Sequence, residues 1–529
     1  MRQFRLVVTA VTGLALFAPL GPPTSAAVPA VPALETVDPS YQELALRQGP
    51  GTTSATAAAP QTKPFGLVGV TWPYRASSRQ VVAKVRVQRN GVWSGWETLR
   101  VEDEHGPDPA QPEGRERSGT EPYWVGNANG VEASLATLDG TTVRDAKVAL
   151  IQPGTSPTDG NPPSGVAATQ TDSRAPYPIP AIVGRSGWGA DERLRSHNGA
   201  ECAKPRYTHT VQAAFVHHTA DRNDYTRAQV PAMIRATYAY HVKSRGWCDL
   251  GYNFLVDRFG RAFEGRYGGM QLPVLGAHTG GFNTDSFGVS LIGNFEKANP
   301  TASMLETTAR IIAWKLDANY RSPLAKVVLD GSKLNTVSGH RDTKATACPG
   351  NDLYSKLGWL RQRINALMGR GVSTEIYRYA QKLGGYGKIG QPFWGEHPTR
   401  RGRATYFGAR DIFWSPATGA RSLQGGFRGY YRGFGPEGPL GLPTGEQRNG
   451  RVSGSRVQGF QAGAIYWSPG TGMHAVSGLI SREYGALGTE RSRLGLPISE
   501  PFAVSGGVQQ KFEHGRLTLS HRTQKVYLT

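Results

Sequence analysis

The chain has 529 residues, too many for one domain, and 38% of them are hydrophobic, enough for ordinary cores. Its 67 glycines and 36 prolines predict many turns and short strands rather than long helices. A formal net charge of +20 favours polyanionic partners, but the basic residues are scattered and form no nucleic-acid-binding motif. We therefore do not expect a nucleic-acid-binding protein.

Residues 1–27 predict a secretory signal peptide. Arg2 and Arg5 precede an apolar run over 6–20, and small residues follow up to a cleavage position near Ala26 or Ala27. The apolar run is shorter than the roughly 18–20 residues that a membrane span needs, and no similar run follows. We expect a secreted, soluble protein in which two of the three cysteines can pair and the third has another role.

The N-terminal part divides into two predicted linkers around a small domain. Residues 28–62 are rich in Ala, Pro, Thr and Ser, which is typical of a linker. Residues 63–154 contain four strand-like runs and predict a β-sandwich-like accessory domain. Its middle, 102–120, is interpreted as a polar loop, and the domain shows no cluster of catalytic residue types. A second linker is predicted for 155–179.

Residues 180–370 alternate strand and helix patterns. This predicts an α/β domain with a central mixed β-sheet flanked by helices. Residues 375–529 then repeat themselves: LGLP recurs at 440–443 and 494–497, with a period of about 53 residues. We predict a β-rich domain of three repeats that pack on one another, and the repeats resemble the LGFP repeats of actinobacterial cell-wall proteins.

Three residues of the α/β domain could form a metal site. One histidine of the predicted strand AFVHHTA, with His340 and Cys348, would supply the imidazole and thiolate ligands that suit zinc. Such a site leaves one position open for a hydrolytic water. Cys202 and Cys248 could then form a disulfide, although on spacing alone Cys348 could pair with either of them. His241, on the apolar face of a predicted helix, is interpreted as a packing residue.

Five motifs in order extend this pattern across the domain. They are RSGWGAD (185–191), FVHHTA (215–220), GWCDLGYNFLVDRFGRAFEGR (246–266), GAHTGGFNTDSFGVSLIGNF (276–295) and GHRDTKATACPG (339–350). With these motifs the chain resembles the peptidoglycan recognition protein and type 2 N-acetylmuramoyl-L-alanine amidase family. The resemblance implies that residues 180–370 form a zinc amidase domain.

The resemblance also implies roles for individual residues. The zinc ligands would be His217, His340 and Cys348. Tyr252 would point into the site, where a phenol can hold the developing oxyanion, and Thr346 could donate a hydrogen bond to the tetrahedral intermediate.

The substrate-binding residues implied by the resemblance are Gly246, Trp247, Arg266, His278 and Asn283. The Gly246–Trp247 pair is associated in the family with diaminopimelate-type stem peptides, although a helix-capping glycine before a core tryptophan explains the pair equally well. Arg266 would bind carboxylates of the peptide, and His278 and Asn283 would line the groove.

The implied activity is hydrolysis of the amide bond between N-acetylmuramic acid and the L-alanine of peptidoglycan. Family members that only recognise peptidoglycan typically lack the cysteine ligand, which this chain retains. A non-catalytic wall-binding protein and a zinc endopeptidase remain alternatives. The repeats and the positive charge fit attachment to the cell wall, including its anionic polymers.

Overall fold

The computed structural model describes residues 38–529, except 50–51, 53, 75–80, 102–103, 139–142, 160–164, 166, 168–174, 370–372 and 436. The predicted signal peptide therefore lies outside the described residues. Among the helices of the described part, none is long and apolar enough to cross a membrane.

Two antiparallel sheets form the N-terminal domain, as the strand-like runs predict. One has the order β1–β11–β4–β8 with β9 also on β4, and the other β2–β3–β10–β5–β6 with β7 also on β5. Along Val81–Arg89 buried residues alternate with more exposed ones, because successive side chains point to opposite faces. The strands are β1 Ser40–Ala45, β2 Arg47–Gln48, β3 Ser54–Ala59, β4 Phe65–Pro73, β5 Val81–Arg89, β6 Val92–Trp93, β7 Glu97–Leu99, β8 Arg117–Gly119, β9 Tyr123–Ala128, β10 Gly130–Thr137 and β11 Lys147–Gln152.

The predicted linker over 28–62 is wrong where the structure describes it, because β1, β2 and β3 lie within that range. The alanine-rich strand β3 pairs along its whole length with β10. Alanine has a low strand propensity, but a neighbouring strand that offers hydrogen-bonding partners outweighs it. In the second predicted linker, Asp159 forms an ion pair with buried Arg235 at 2.6 Å, so this part packs on the central domain.

The central domain has one mixed sheet of six strands in the order β12–β15–β14–β16–β13–β19. Neighbouring strands are parallel except β14 and β15. Two further strands form a separate hairpin. The strands are β12 Ile182–Val183, β13 Ala213–His218, β14 Phe254–Val256, β15 Ala262–Glu264, β16 Ser286–Leu291, the hairpin strands β17 Lys326–Leu329 and β18 Ser332–Asn335, and β19 Val337–Gly339.

Helices cover both faces of this sheet, which confirms the predicted α/β domain. Helices α2 and α4 pack on one face, together with Phe254 and Val256, while α1 packs on the opposite face with Leu255 and Phe263. The helices are α1 Val230–Ala239, which continues as a π-helical turn over Tyr240–Ser244, α2 Ala302–Ala318, α3 Asn351–Tyr354 and α4 Leu357–Met368. Short 3₁₀ turns cover Arg185–Trp188, Glu192–Ser196, Ala200–Ala203 and His340–Asp342.

Helix α1 also joins the central domain to the N-terminal domain. Leu67, Trp124 and Ile151 of the N-terminal domain share one buried cluster with Met233 and Tyr240. This continuous apolar contact attaches the sandwich to the central domain on the α1 side.

The C-terminal part consists of three units, each a helical segment followed by a four-stranded antiparallel sheet. The first unit packs on the central domain, where buried Tyr320 donates a hydrogen bond to Glu396 at 2.9 Å and lies 2.6 Å from the hydroxyl of Thr405. The elements are α5 Glu375–Lys382, α6 Tyr386–Ile389, β20 Pro392–Pro398, β21 Arg403–Phe407, β22 Arg410–Ser415, β23 Gly419–Gln424, α7 Gly425–Gly433, β24 Arg448–Asn449, β25 Arg456–Phe460, β26 Gly463–Ser468, β27 Gly472–Ser477, α8 Gly478–Ala486, a 3₁₀ turn Thr489–Arg491, β28 Phe502–Val504, β29 Gly507–Phe512, β30 Gly515–Ser520 and β31 Val526–Leu528.

The contact between Gly69 and Tyr240 allows a direct test of the attachment between the two domains. A methyl group added at Gly69 would lie 2.4 Å from the ring of Tyr240, which is fully buried. We expect Gly69→Ala to destabilise the protein by about 1–3 kcal/mol through overpacking. Chemical denaturation would measure this effect. Gly95→Ala, where nothing lies within 4 Å of the added methyl group, is the matched control and should leave the midpoint nearly unchanged.

Candidate metal site and covered groove

The pairing of two parallel strands brings His217 and His340 together. Val216 of β13 is opposite Gly339 of β19, and each of these residues directly precedes one of the histidines. Both side chains are fully buried, with ring centroids 4.9 Å apart. The two imidazoles therefore meet at the carboxyl ends of neighbouring strands.

Cys348 completes the predicted trio. Its Sγ lies 3.7 Å from Nδ1 of His217, and the residue is fully buried and outside any disulfide. Cys202 and Cys248 form the disulfide. This confirms the predicted pairing and excludes the alternative in which Cys348 pairs with one of them.

A fourth metal-competent residue comes from the N-terminal domain. Nε2 of His105 lies 3.1 Å from Nδ1 of His217, and its ring stacks on that of His340 at 4.3 Å. The Nδ1 atom of His105 is 2.7 Å from a carboxylate oxygen of buried Glu121. The donor atoms of His105, His217, His340 and Cys348 all lie within 4.8 Å of one another.

The spacing and chemistry of these donors fit zinc. Ligands at the usual zinc distances in a tetrahedron are about 3.3 Å apart for two nitrogens and about 3.6 Å apart for nitrogen and sulfur. The structure has 3.1 Å between His105 and His217 and 3.7 Å between His217 and Cys348. Within the described part of the chain, one ring nitrogen of buried His340 interacts with the backbone of Glu104, and the other has no hydrogen-bond partner. Buried polar atoms without partners are rare, and a metal ion would account for them.

Burial also keeps the histidines in the form that binds metals. Loss of solvation lowers the pKa of His217 well below its ordinary value, and the neighbouring His340 and His278 lower it further. Burial lowers the pKa of His340 and of His278 in the same way. Nε2 of His217 lies 3.1 Å from Nδ1 of His278, a contact that orients the ring with its Nδ1 towards the cluster.

The remaining candidate catalytic residues lie beside this cluster. Tyr252 is buried, its ring centroid is 5.6 Å from that of His217, and its hydroxyl is 3.4 Å from Nδ1 of His105. The hydroxyl of Thr346 accepts a hydrogen bond from the amide of Cys348 at 3.1 Å. His218 points away from the cluster and accepts from the amide of Phe295 at 3.2 Å, as expected for a neighbour on a strand.

The two adjacent residues Gly246 and Trp247 end the first helical segment. Gly246 has a φ of +77°, and Trp247 is buried, with its ring 4.5 Å from that of His241. His241 itself accepts a hydrogen bond from the amide of Gly251 at 3.2 Å, which fits its predicted packing role. In the structure Gly246 thus ends the helix and Trp247 packs in the core. The association of this pair with diaminopimelate-type stem peptides stays a prediction.

The predicted groove residues Arg266, His278 and Asn283 are all buried. Arg266 pairs with Glu113 of the N-terminal domain at 2.5 Å. Asn283 accepts from the amide of His278 at 2.8 Å and donates to Asp108 at 2.7 Å. The groove predicted for substrate is therefore covered by residues 104–117, here named the covering loop.

The sequence interpretation missed His105, Asp108 and Glu113, because it treated 102–120 as a polar loop, and it assigned no role to Glu121, which follows that range. The charge pattern of this segment was one signal that could have identified these residues. In a chain with a net charge of +20, residues 102–116 carry six acidic side chains and a histidine. A concentrated acidic run in a basic chain can indicate a segment that docks on a basic surface of the same chain.

Three family models match this chain. The model described as "Rv3811 N-terminal galactose-binding domain-like" matches residues 24–176, the N-acetylmuramoyl-L-alanine amidase model residues 207–351, and the LGFP repeat model residues 440–492. These matches agree with the β domain, the α/β domain and the repeats.

Curated relatives match about a third of the chain. The chain is 34% identical to peptidoglycan recognition protein 1 of Bos indicus over 175 residues, 33% of this chain and 80% of that protein. It is 34% identical to peptidoglycan-recognition protein SC1a/b of Drosophila simulans over 147 residues, 28% of this chain and 72% of the relative. Among solved structures, peptidoglycan recognition protein LE in complex with tracheal cytotoxin is 31% identical, with a TM-score of 0.27, over 34% of this chain and 92% of that chain.

Proposed function

The chain belongs to the peptidoglycan recognition protein family, and we propose that it is a secreted, cell-wall-associated zinc amidase. Its reaction would be hydrolysis of the amide bond between N-acetylmuramic acid and the L-alanine of peptidoglycan stem peptides. The observation that carries this proposal is the buried cluster of His217, His340 and Cys348 with Tyr252 beside it.

The chemistry divides between the metal and the side chains. Zinc bound by His217, His340 and Cys348 would polarise the scissile carbonyl and activate water. The Tyr252 hydroxyl, which is 3.4 Å from Nδ1 of His105, would donate a hydrogen bond to the oxyanion, and the contact of His278 with His217 would keep that ring oriented. Thr346 braces the backbone at Cys348, which supports a positioning role. These contacts belong to residues that are all at least partly buried, so water access to the site is restricted.

A non-catalytic peptidoglycan-binding protein is the second candidate. The four-residue cluster favours it, because structural zinc sites have four protein ligands whereas hydrolytic sites keep one position open. The presence of Tyr252 at the cluster supports catalysis, since a purely structural metal site needs no such hydroxyl. The amidase and the non-catalytic binding protein differ in one respect: His105 must leave the cluster for hydrolysis, whereas it can stay in a binding protein.

The metal assignment predicts the effect of removing the thiolate. We expect Cys348→Ser to reduce bound zinc from about one ion per chain to less than a tenth and to abolish hydrolysis, because the hydroxyl of serine is a poor zinc ligand. Elemental analysis of the purified protein measures the zinc. His209→Ala, which removes an exposed histidine, is the control and should keep its zinc. Full zinc occupancy in Cys348→Ser would exclude the assignment.

The role of Tyr252 predicts a loss of rate without a loss of metal. We expect Tyr252→Phe to lower kcat by about 10²–10³-fold while zinc content stays unchanged, because one donor to the oxyanion is removed. The assay measures release of stem peptide from a soluble muramyl pentapeptide by mass spectrometry. A product peptide with a free N-terminal alanine identifies an amidase. Cleavage within the stem peptide would instead identify an endopeptidase.

We further propose that the repeats bind anionic polymers of the cell wall. Residues 375–529 hold 20 basic and nine acidic side chains, so more than half of the net positive charge lies there. Arg522 and Lys525 are exposed at the end of the third unit. Clustered exposed positive charge attracts polyanions, and salt screens that attraction.

The charge proposal predicts a difference between two double variants. We expect Arg522→Gln with Lys525→Gln to weaken binding to a cell-wall suspension several-fold at low salt, as measured by co-sedimentation. Lys326→Gln with Lys333→Gln removes the same charge from an exposed hairpin of the central domain and should have a smaller effect. Equal losses in both would mean that net charge alone governs binding.

A further inference from the structure

We propose that the covering loop, residues 104–117, is an autoinhibitory segment that occupies both the metal site and the substrate groove of its own chain. His105 acts as the fourth metal ligand, and Asp108 and Glu113 take the place of acceptor groups of the stem peptide. This inference rests on the proposed function, since it assigns a latent state to that same site.

His105 has the environment of a metal ligand. Glu121 lies 2.7 Å from its Nδ1, which directs Nε2 to within 3.1 Å of His217. A histidine ligand commonly donates its other ring nitrogen to a carboxylate in this way. With His105 in place the cluster has four protein donors, so no position is left for a substrate carbonyl or a water.

Glu113 provides a carboxylate where the family resemblance places a carboxylate of the peptide. It is buried, contacts Nη2 of Arg266 with both oxygens at 2.5 and 2.6 Å, and accepts from the amide of Cys248 at 2.9 Å. Among the described residues, buried Nη1 of Arg266 has no hydrogen-bond partner. A substrate carboxylate that engages both Nη atoms would form a better bidentate pair than Glu113 does.

Asp108 saturates the donors of the groove loop. It accepts hydrogen bonds from the amides of Gly281, Asn283 and Thr284 at 2.8, 3.1 and 3.2 Å, and from the side chains of Asn283 and Thr284 at 2.7 and 2.9 Å. The carbonyl of Gly106 accepts from the Asn283 side chain at 2.8 Å. While Asp108 and Gly106 accept from these donors, the donors are not available to a glycopeptide in the groove.

The covering loop leaves little room for substrate. A cavity of about 80 Å³ lies beside the loop, lined by residues that include Glu104, His105, Trp247 and Lys344. Sites for ligands of this size usually enclose about 300–1,000 Å³. A muramyl peptide therefore cannot enter while the loop is in place.

The energetics suit a reversible block. A segment tethered in the same chain has an effective concentration on the order of mM, so weak contacts suffice to compete with dilute soluble substrate. The pairing of Glu113 with Arg266 removes both charges from water, which offsets much of their attraction. The closed state is thus specific in its contacts without being too stable to open.

The first experiment measures substrate binding, which does not depend on catalysis. In the full-length chain, the triple variant His105→Ala, Asp108→Ala, Glu113→Ala should bind a soluble muramyl pentapeptide at least tenfold more tightly than the unaltered chain, by isothermal titration calorimetry. Glu132→Ala, which removes an acidic side chain that pairs with Arg86 on the same domain, is the control and should leave binding unchanged. Glu113→Gln keeps the shape of the side chain and should tighten pentapeptide binding by a smaller factor. This single variant tests the inference even if the triple variant has a folding defect.

The second experiment measures metal affinity against activity. His105→Ala should lower zinc affinity by about 10- to 100-fold in competition with a chelator and change the visible spectrum of the cobalt-substituted protein. With zinc in excess, the same variant should hydrolyse the pentapeptide faster than the unaltered chain. Opposite changes in metal affinity and rate are the signature of an inhibitory ligand, because a general loss of structure lowers both.

The outcomes separate the inference from the function on which it rests. Tighter pentapeptide binding without hydrolysis in any variant supports the covering loop and rejects the amidase. Slower hydrolysis in His105→Ala, with pentapeptide binding unchanged in all variants, overturns autoinhibition and makes His105 a working part of the site. Unchanged binding in the triple and Glu113→Gln variants likewise overturns it.

Discussion

The packing of the N-terminal sandwich on helix α1 is the contact on which the rest of the arrangement depends. Tyr240 lies against Gly69, where no side chain intervenes, and donates a hydrogen bond to the carbonyl of Thr120 at 2.9 Å. Close to this contact the amide of Arg117 donates to the carbonyl of Arg245, and Nε of Arg245 donates to the carbonyl of Arg117, both at 2.9 Å. Because the sandwich is held here, the loop that precedes β8 extends across the neighbouring groove and reaches the histidine cluster.

The cluster combines contributions from segments far apart in the chain. His217 and His340 are neighbours because β13 and β19 pair in parallel, and Cys348 returns to them through the loop after the His340 turn. His105 arrives from another domain. A site with donors from two domains can be opened by a movement of one of them, whereas the three donors of the central domain stay together. That difference would separate a metal-holding trio from the removable fourth ligand that we propose.

The same loop explains why so many predicted substrate residues are buried. Arg266 and Asn283 are polar groups at the bottom of a groove, and burial without partners would be costly for both. Glu113 and Asp108 supply those partners in the closed state. A chain that must protect such donors in the absence of substrate needs acceptors of substrate-like chemistry, which accounts for the acidic run in an otherwise basic protein.

Much of the central domain could be predicted from the sequence. The alternation of strands and helices follows from local patterns. The disulfide between Cys202 and Cys248 and the candidate trio of His217, His340 and Cys348 follow instead from the ordered motifs that carry the family resemblance, because spacing alone left the pairing of Cys348 open. The strand nature of residues 54–59 did not follow, because alanines form a strand only when a partner such as β10 is present.

The sequence by itself thus determined the fold class of each domain and the residue types of the candidate metal site in the central domain. Only the tertiary structure decided that His105 lies at that site and that Glu113 and Asp108 fill the groove. The physical reason is that the charges of an acidic loop can be satisfied either by water or by a complementary basic groove. Which of the two occurs depends on where the packing of α1 against the sandwich places that loop.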